Sequence, residues 1–416
     1  MRRKSSAPDL LPTRRASAVL AAIALAVLAA PAARAQISGD VVKIGVLTDL
    51  SGPAADATGQ GSVLATEMAV EDFGGAVAGK PIKVISANHQ LKPDIGTALA
   101  RQWYDEEQVD LIVDVPVSAV GLAVQEVSRE KRKLFITTST GAGIFTGKSC
   151  SPYAMQWVFD THALATGTAK AVTQRGGKSW FFLTSDYAFG HSLEADASRV
   201  AEASGAQVVG AVRFPFNSPD LSSFVLQAQA SKAKIIGLAA GPPDNINAIK
   251  IGGEFGLFRS GGQQMAGLLV LITDVHALGL KAAQGLLLTT SFYWDMDEKT
   301  RAWSKRFFDR QHKMPTMWQA GAYSAVTHYL AAIKTAGTDE PLAVAAKMRA
   351  TPVDDFFARH GRLRADGLMV HDLYLAEVKK PEESKQPWDY YRILETIPGE
   401  VAFPRLEDED CPLAKP

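Results

Sequence analysis

Three stretches place hydroxyls where a small anion or amide can be gripped. Ser51 lies in Ser51-Gly52-Pro53 after the apolar run 42–48, Val117 and Ser118 follow the run 111–115, and Ser139 and Thr140 follow the run 134–138. Ser118 directly precedes a helical pattern opening at Ala119. The first N–H groups of a helix have no partner within it, so a serine there can cap the helix or join those amides around a carboxylate. Both uses stay open for Ser118, and the same reading extends to Ser139 and Thr140. Farther along, Tyr187 and Phe189 follow the run 179–184, and Gly190 lets the next helix start close by. The two rings suit either the lid of a pocket or ordinary packing, because large aromatics bury well in both places.

Catalysis is not in view. There is no G-x-S-x-G elbow, no H-E-x-x-H and no Cys/His spacing for a metal, and the eight histidines, among them His191, His276 and His371, are scattered. Residues 142–149 fit the loose form of a phosphate-binding loop, yet Cys150-Ser151-Pro152 breaks the chain where the phosphate-holding helix should begin. Gly59-Gln60-Gly61 lacks the third glycine of a dinucleotide fingerprint and reads as a helix entry. The expectation is binding without turnover, with no cofactor and no metal.

The elements that would position these groups alternate. Short aliphatic or β-branched runs at 42–48, 82–88, 111–115, 134–138, 179–184, 207–212, 234–239, 268–272 and 286–290 predict strands. Helical patterns fill the gaps at 61–73, 94–106, 119–131, 164–174, 193–203 and 246–255. This alternation is the signature of βαβ units around parallel sheets covered on both faces. Beyond Tyr293-Trp294 come three helical segments, 299–311, 316–336 and 341–348, and then alternating return strands at 372–378 and 389–394. Trp157, Tyr293 and Trp294 are expected to pack in the core or beside chain crossings.

The amino terminus carries Arg2, Arg3, Lys4, Arg14 and Arg15, then an Ala-rich apolar stretch from 16 to 30, then Ala33-Arg34-Ala35. That order of charge, short apolar stretch and small-residue site predicts a cleavable export signal over 1–35, the stretch falling short of the ~20 residues a membrane span needs. No cysteine follows the cleavage site to carry a lipid, and the choice between general and twin-arginine export stays open. Removing the segment leaves 381 residues with a formal net charge of −5. Such a balance gives no footprint for nucleic acid or anionic lipid. The length favours two lobes over one core. Cys150 and Cys411 are the two cysteines, and in an oxidising compartment they either bridge, closing a long loop worth ~4–5 kcal/mol in the chain-entropy model, or stay as free thiols.

Taken together, Ile44-Gly45-Val46 with Ser51-Gly52-Pro53, the strand and loop 113–118, the strand and loop 136–140, and Asp186-Tyr187-Ala188-Phe189-Gly190 give the chain a resemblance to a known family. It resembles the solute-binding receptors of branched-chain amino acid ABC importers, the leucine/isoleucine/valine-binding type, over nearly the whole sequence after Gln36. The resemblance implies an α/β, type I periplasmic binding protein fold: two doubly wound parallel-sheet lobes joined by a three-stranded hinge, with crossovers near Phe159, Ser291 and Asp372. The lobes would comprise 36–159 plus 292–371 and 160–291 plus 372–416. It further implies a periplasmic receptor that closes on a small molecule and delivers it to inner-membrane permease subunits. A sensor subunit of the same fold, signalling to a membrane receptor, is the alternative. By the same resemblance, the loops of Ser118 and of Ser139 and Thr140 hold the ligand's carboxylate, and an acid on the second lobe takes its ammonium. The acids nearest the expected place are Asp244, after Gly241-Pro242-Pro243, and Asp274, a few residues beyond the run 268–272. Neither lies on a strand, so small aromatic or aliphatic carboxylates and amides stand beside branched-chain amino acids as expected ligands.

Overall fold

The computed structural model describes Met1, residues 37–257 and residues 262–414. Apart from Met1, the export segment over 1–35 lies outside the described residues. The first half runs β1 (Val42–Thr48), α1 (Gly59–Phe73), β2 (Ala76–Val77), β3 (Lys80–Asn88), α2 (Pro93–Asp105), β4 (Leu111–Asp114), α3 (Ser118–Lys131), β5 (Leu134–Thr137) and β6 (Ala154–Gln156). There follow α4 (Thr161–Gln174), β7 (Ser179–Ser185), α5 (Ala188–Ala203), β8 (Gln207–Phe214), α6 (Ser222–Ala230), β9 (Ile235–Ala239), α7 (Asp244–Glu254), β10 (Gln264–Gly267), α8 (Ile272–Leu278), α9 (Leu280–Ala283) and β11 (Leu287–Thr290). The last part holds α10 (Glu298–Gln311), α11 (Met317–Ala336), α12 (Pro341–Ala350), the pair β12 (Arg362–Leu363) and β13 (Met369–Val370), β14 (Leu373–Val378), β15 (Tyr391–Ile397) and α13 (Gly399–Ala402).

Two parallel sheets organise the molecule. The first has the order β2-β3-β1-β4-β5-β6, parallel except for the short β2, and the second the order β10-β9-β7-β8. In each, the order reverses beside the first strand of that half, between β1 and β4 and between β7 and β9. Such a switch point leaves a crevice at the carboxyl ends of the strands. Strands such as β4 and β5 are buried along their whole length, as strands between two helical layers must be. A third, antiparallel sheet, β11-β14-β15, closes the second half.

One expected strand is corrected. The apolar run 268–272 is not paired; β10 lies just before it, matching Gln264 through Gly267 to Ile235 through Leu238. Leu268 and Leu269 are buried all the same, because the run crosses the strand ends as a loop. Asp274 accepts a hydrogen bond from the Leu271 N–H at 3.0 Å and starts α8. A continuous apolar run signals burial but not pairing, so periodicity could not make the distinction.

Three segments distant in sequence meet at Val158, Ser291 and His371. At that place Ser291 Oγ donates to the Val158 carbonyl at 2.7 Å, and His371 Nε2 lies 3.0 Å from the same oxygen. The other ring nitrogen of His371 lies 2.9 Å from the Asp372 carbonyl. Burial pushes His371 down to about 4, so the ring is neutral near pH 7. With the folded value below the unfolded one, folding stability is complete above about pH 6.5 and drains as pH falls toward 4. His371→Gln keeps a donor for Val158 and removes the titration. Urea unfolding at pH 7 and pH 4 should therefore show wild type losing about 2–3 kcal/mol more than the variant. Parallel losses would show that His371 does not titrate in this window.

Candidate functional site

The crevice expected at the two switch points is present, as a narrow cleft where the strand ends of the two sheets meet. The first half contributes Ala54 from beyond β1, Pro116, Val117 and Ser118 from beyond β4, Ser139 from beyond β5, and Trp318 from the start of α11. The second half contributes Tyr187 and Phe189 from beyond β7, Gly241 and Pro242 from beyond β9, and Leu269 from beyond β10. Every contribution but Trp318 thus comes from the carboxyl end of a parallel strand.

Each polar group in the wall has a defined geometry. Ser118 Oγ accepts from the Gly141 and Ala142 N–H groups at 3.3 and 3.2 Å, which ties the second hydroxyl loop to the first. Ser118 is the first residue of α3, and its own N–H has no acceptor among the described residues. The loop before it is held in unusual backbone: Asp114, Val115 and Val117 have φ of 86°, 60° and 71°. Left-handed dihedrals at β-branched residues are costly and persist only where surrounding contacts fix them. Here Val115 is fully buried, while Val117 faces the cavity.

The aromatic wall is continuous. Tyr187 stands 6.0 Å from Phe189, Phe189 6.3 Å from Phe159, and Phe159 stacks on Trp318 at 6.1 Å and 16°. Burial raises the Tyr187 hydroxyl well above the ordinary tyrosine range, so it stays protonated. Trp318 is 4% exposed, and its indole N–H is buried without a partner. An unpaired buried donor beside a cavity is a group that a ligand acceptor would satisfy.

Four expected site residues stand elsewhere. Ser51 is exposed, and its hydroxyl accepts from Asn88 at 2.9 Å. Thr140 Oγ1 donates to the Val115 carbonyl at 2.9 Å and packs against Gly121, where any Cβ would lie 1.9 Å away; its hydroxyl is spent inside the wall. Asp244 accepts from Ser185 Oγ and from the N–H groups of Asn217 and Ser218 at 3.1–3.2 Å. Its carboxyl therefore pins two strand-end loops, and burial raises it to about 6. Asp274 is committed to the first turn of α8, with burial raising it to about 7. Both acids sit near strand ends as expected, but neither lines the cavity: Asp244 is held by hydroxyl and backbone donors and Asp274 Oδ2 by the Leu271 N–H. Trp157 and Tyr293 are buried among neighbours and outside it, as is Trp294, whose indole donates to the Trp388 carbonyl at 2.8 Å.

The sequence reading passed over Trp318, Leu269 and Pro242. A signal for the first was available: Thr316 and Gln319 form a reciprocal cap at the start of α11, which fixes the two residues between them, Met317 and Trp318, against the loop after β1. The Gly241-Pro242-Pro243 turn, whose Pro242–Pro243 bond is cis, also sits at a strand end.

Elsewhere, Cys150 and Cys411 are joined by a disulfide. Among the described residues no His, Cys, Asp and Glu cluster could hold a metal, and no helix is long and apolar enough to cross a membrane.

Comparison with known proteins matches residues 41–385 to the family model described as periplasmic binding protein. A periplasmic binding protein from Burkholderia mallei is 49% identical, with a TM-score of 0.88 over 90% of this chain and all of that one. A branched chain amino acid ABC transporter periplasmic ligand-binding protein from Burkholderia xenovorans LB400 is 41% identical, with a TM-score of 0.81 over 90% of this chain and all of that one. A Leu/Ile/Val-binding protein homolog 6 from Brucella suis is 25% identical over 376 residues, which is 88% of this chain and 93% of the relative.

Proposed function

We propose, from the premise that this chain belongs to the periplasmic binding protein family, that its solute is a small and largely apolar molecule with one polar head group, a carboxylate or an amide. The observation that carries this reading is the wall of the cavity: aromatic, aliphatic and hydroxyl groups line it and no charged side chain does. An α-amino acid would bring an ammonium into that space, and an ammonium removed from water without an acid opposite it is strongly disfavoured. Asp244 and Asp274 do not supply that acid, since neither lines the cavity, and Asp244 is already held by Ser185, Asn217 and Ser218.

The two halves, 36–159 with 292–371 and 160–291 with 372–416, would act as lobes that close on the solute. A ligand touching both walls at once favours the closed state by its differential affinity for that state. The closed protein would then be delivered to the permease subunits of an ABC importer, in the periplasm, after removal of residues 1–35.

Thermal unfolding with a ligand panel tests the reading. Aromatic or aliphatic acids or their amides should raise the melting temperature in a concentration-dependent way, by about 2.7 kcal/mol of stabilisation at a hundredfold excess over Kd, while leucine and valine leave it unchanged. A rise with leucine and none with the apolar acids or amides would overturn the proposed ligand class.

A further inference from the structure

We infer that Asp114 is a positioning residue that decides which hydrogen-bonding partner the first half offers its ligand: it restricts Ser139 to accepting, while the adjacent Ser118 is left to donate. The inference deepens the proposed function and rests on it.

A count of protons carries the argument. Ser139 has two, and both are turned inward: its hydroxyl donates to Asp114 Oδ1 at 2.8 Å, and its N–H points at Thr137 Oγ1 at 3.3 Å. What the Ser139 hydroxyl can show the cavity it lines is therefore the lone pairs of Oγ. Ser118 is the complement. Its Oγ lone pairs receive the Gly141 and Ala142 amides, so its hydroxyl proton is unspent, and its own N–H lacks an acceptor among the described residues. A donor and an acceptor thus stand side by side on neighbouring loops.

Asp114 holds this arrangement through several bonds at once. The same Oδ1 takes the Thr138 hydroxyl at 2.8 Å, and the Asp114 carbonyl takes Thr137 Oγ1 at 2.8 Å and the Thr138 N–H at 3.2 Å. The residue is completely buried and sits at φ 86°, a conformation kept only when neighbours over-determine it. Its other oxygen, Oδ2, has no partner of hydrogen-bond geometry, although the Thr48 and Ser62 hydroxyls stand close enough to favour the charged form. Burial outweighs them and raises the group. The direction of the Ser139 proton does not depend on that balance: a proton on Asp114 would sit on Oδ2, and Oδ1 accepts in either state.

A head group that matches carries an acceptor and a donor on adjacent atoms. A primary carboxamide does, its oxygen taking the Ser118 proton and its N–H meeting Ser139. A carboxylate offers acceptors alone and sets lone pair against lone pair at Ser139. The class of ligand that fits is therefore a small apolar amide.

Titration calorimetry with matched pairs, benzoate with benzamide and isovalerate with isovaleramide, tests this on the wild type and on Asp114→Asn, Asp114→Ala and Ser139→Ala, each checked by circular dichroism. The wild type should bind an amide at least about tenfold more tightly than its acid, since a mismatched buried polar group is penalised heavily. Asp114→Asn, which can keep an oxygen at the Oδ1 position, should hold the preference to within about threefold. Asp114→Ala frees the Ser139 proton and should erase it; if that variant does not fold, Ser139→Ala, which should also erase it, carries the test. Acids binding as tightly as their amides to the wild type, or a preference untouched by Ser139→Ala, overturns the inference while leaving the proposed function in place. If no member of either pair binds, the proposed ligand class fails and this inference fails with it.

Discussion

Gly190→Ala will cost the protein about 3 kcal/mol or more and abolish capture of any ligand that needs the second wall. A Cβ at this position would lie 2.0 Å from the Ser185 carbonyl oxygen and 3.0 Å from the Ala239 carbonyl oxygen. Both obstacles are backbone at strand ends, so no side chain can swing aside, and overpacking without relief lies at the costly end of small-to-large changes. The helix α5 would have to lift away from β7 and β9, and Phe189 and Tyr187, which open that helix, would move with it. Gly143→Ala is the control, since its Cβ would meet its nearest neighbour at an ordinary 3.6 Å. Thermal melts with and without ligand read the difference. A Gly190→Ala protein that melts and binds like the wild type would mean that the helix is free to shift, and that the aromatic wall is not fixed by its close approach to the sheet.

Replacing both Cys150 and Cys411 by serine should lower stability by about 3–5 kcal/mol. The bridge joins positions 261 residues apart, and a closed loop of that length removes much of the freedom of the unfolded chain. The path between them adds a local effect. After β15 the chain forms α13, whose first N–H is received by Asp372 at 3.0 Å, and the Pro404 carbonyl is then held by Arg364. The bridge fastens the end of this path to the segment that continues from Ser139 to Cys150. Denaturant midpoints for the double variant, and for wild type with and without reductant, measure the loss. Coincident midpoints would show that the non-covalent contacts alone secure the tail.

Much of this architecture can be read from the residues. The strand Val42–Thr48 and the starts of the strands at Leu111 and Leu134 are legible because apolar runs bounded by polar or Gly-rich turns have few other uses. Val117, Ser118 and Ser139 are legible for the same reason: they follow such strands, where an open sheet leaves its crevice. Trp318 and Leu269 are not, because one arrives from a helix start and the other from a loop that looks like a strand, and only the tertiary path brings them to the cavity. Asp244 and Asp274 show a different limit. Their places in the chain suit a partner for a cation, but where a carboxylate points depends on which amides lie nearby, and those of Asn217, Ser218 and Leu271 come from turns with no distinctive spelling.

The left-handed backbone at Val115 and Val117 has a consequence for how this receptor could be re-engineered. Glycine at either position would be at ease with the dihedral, and each exchange would relieve on the order of 1–2 kcal/mol. Yet Val115 would give up a fully buried side chain, and Val117 a portion of the cavity surface. A variant selected for hardiness alone would thus be drawn toward glycine at 117, where less packing is forfeited, and would emerge sturdier but with a wider and less discriminating mouth.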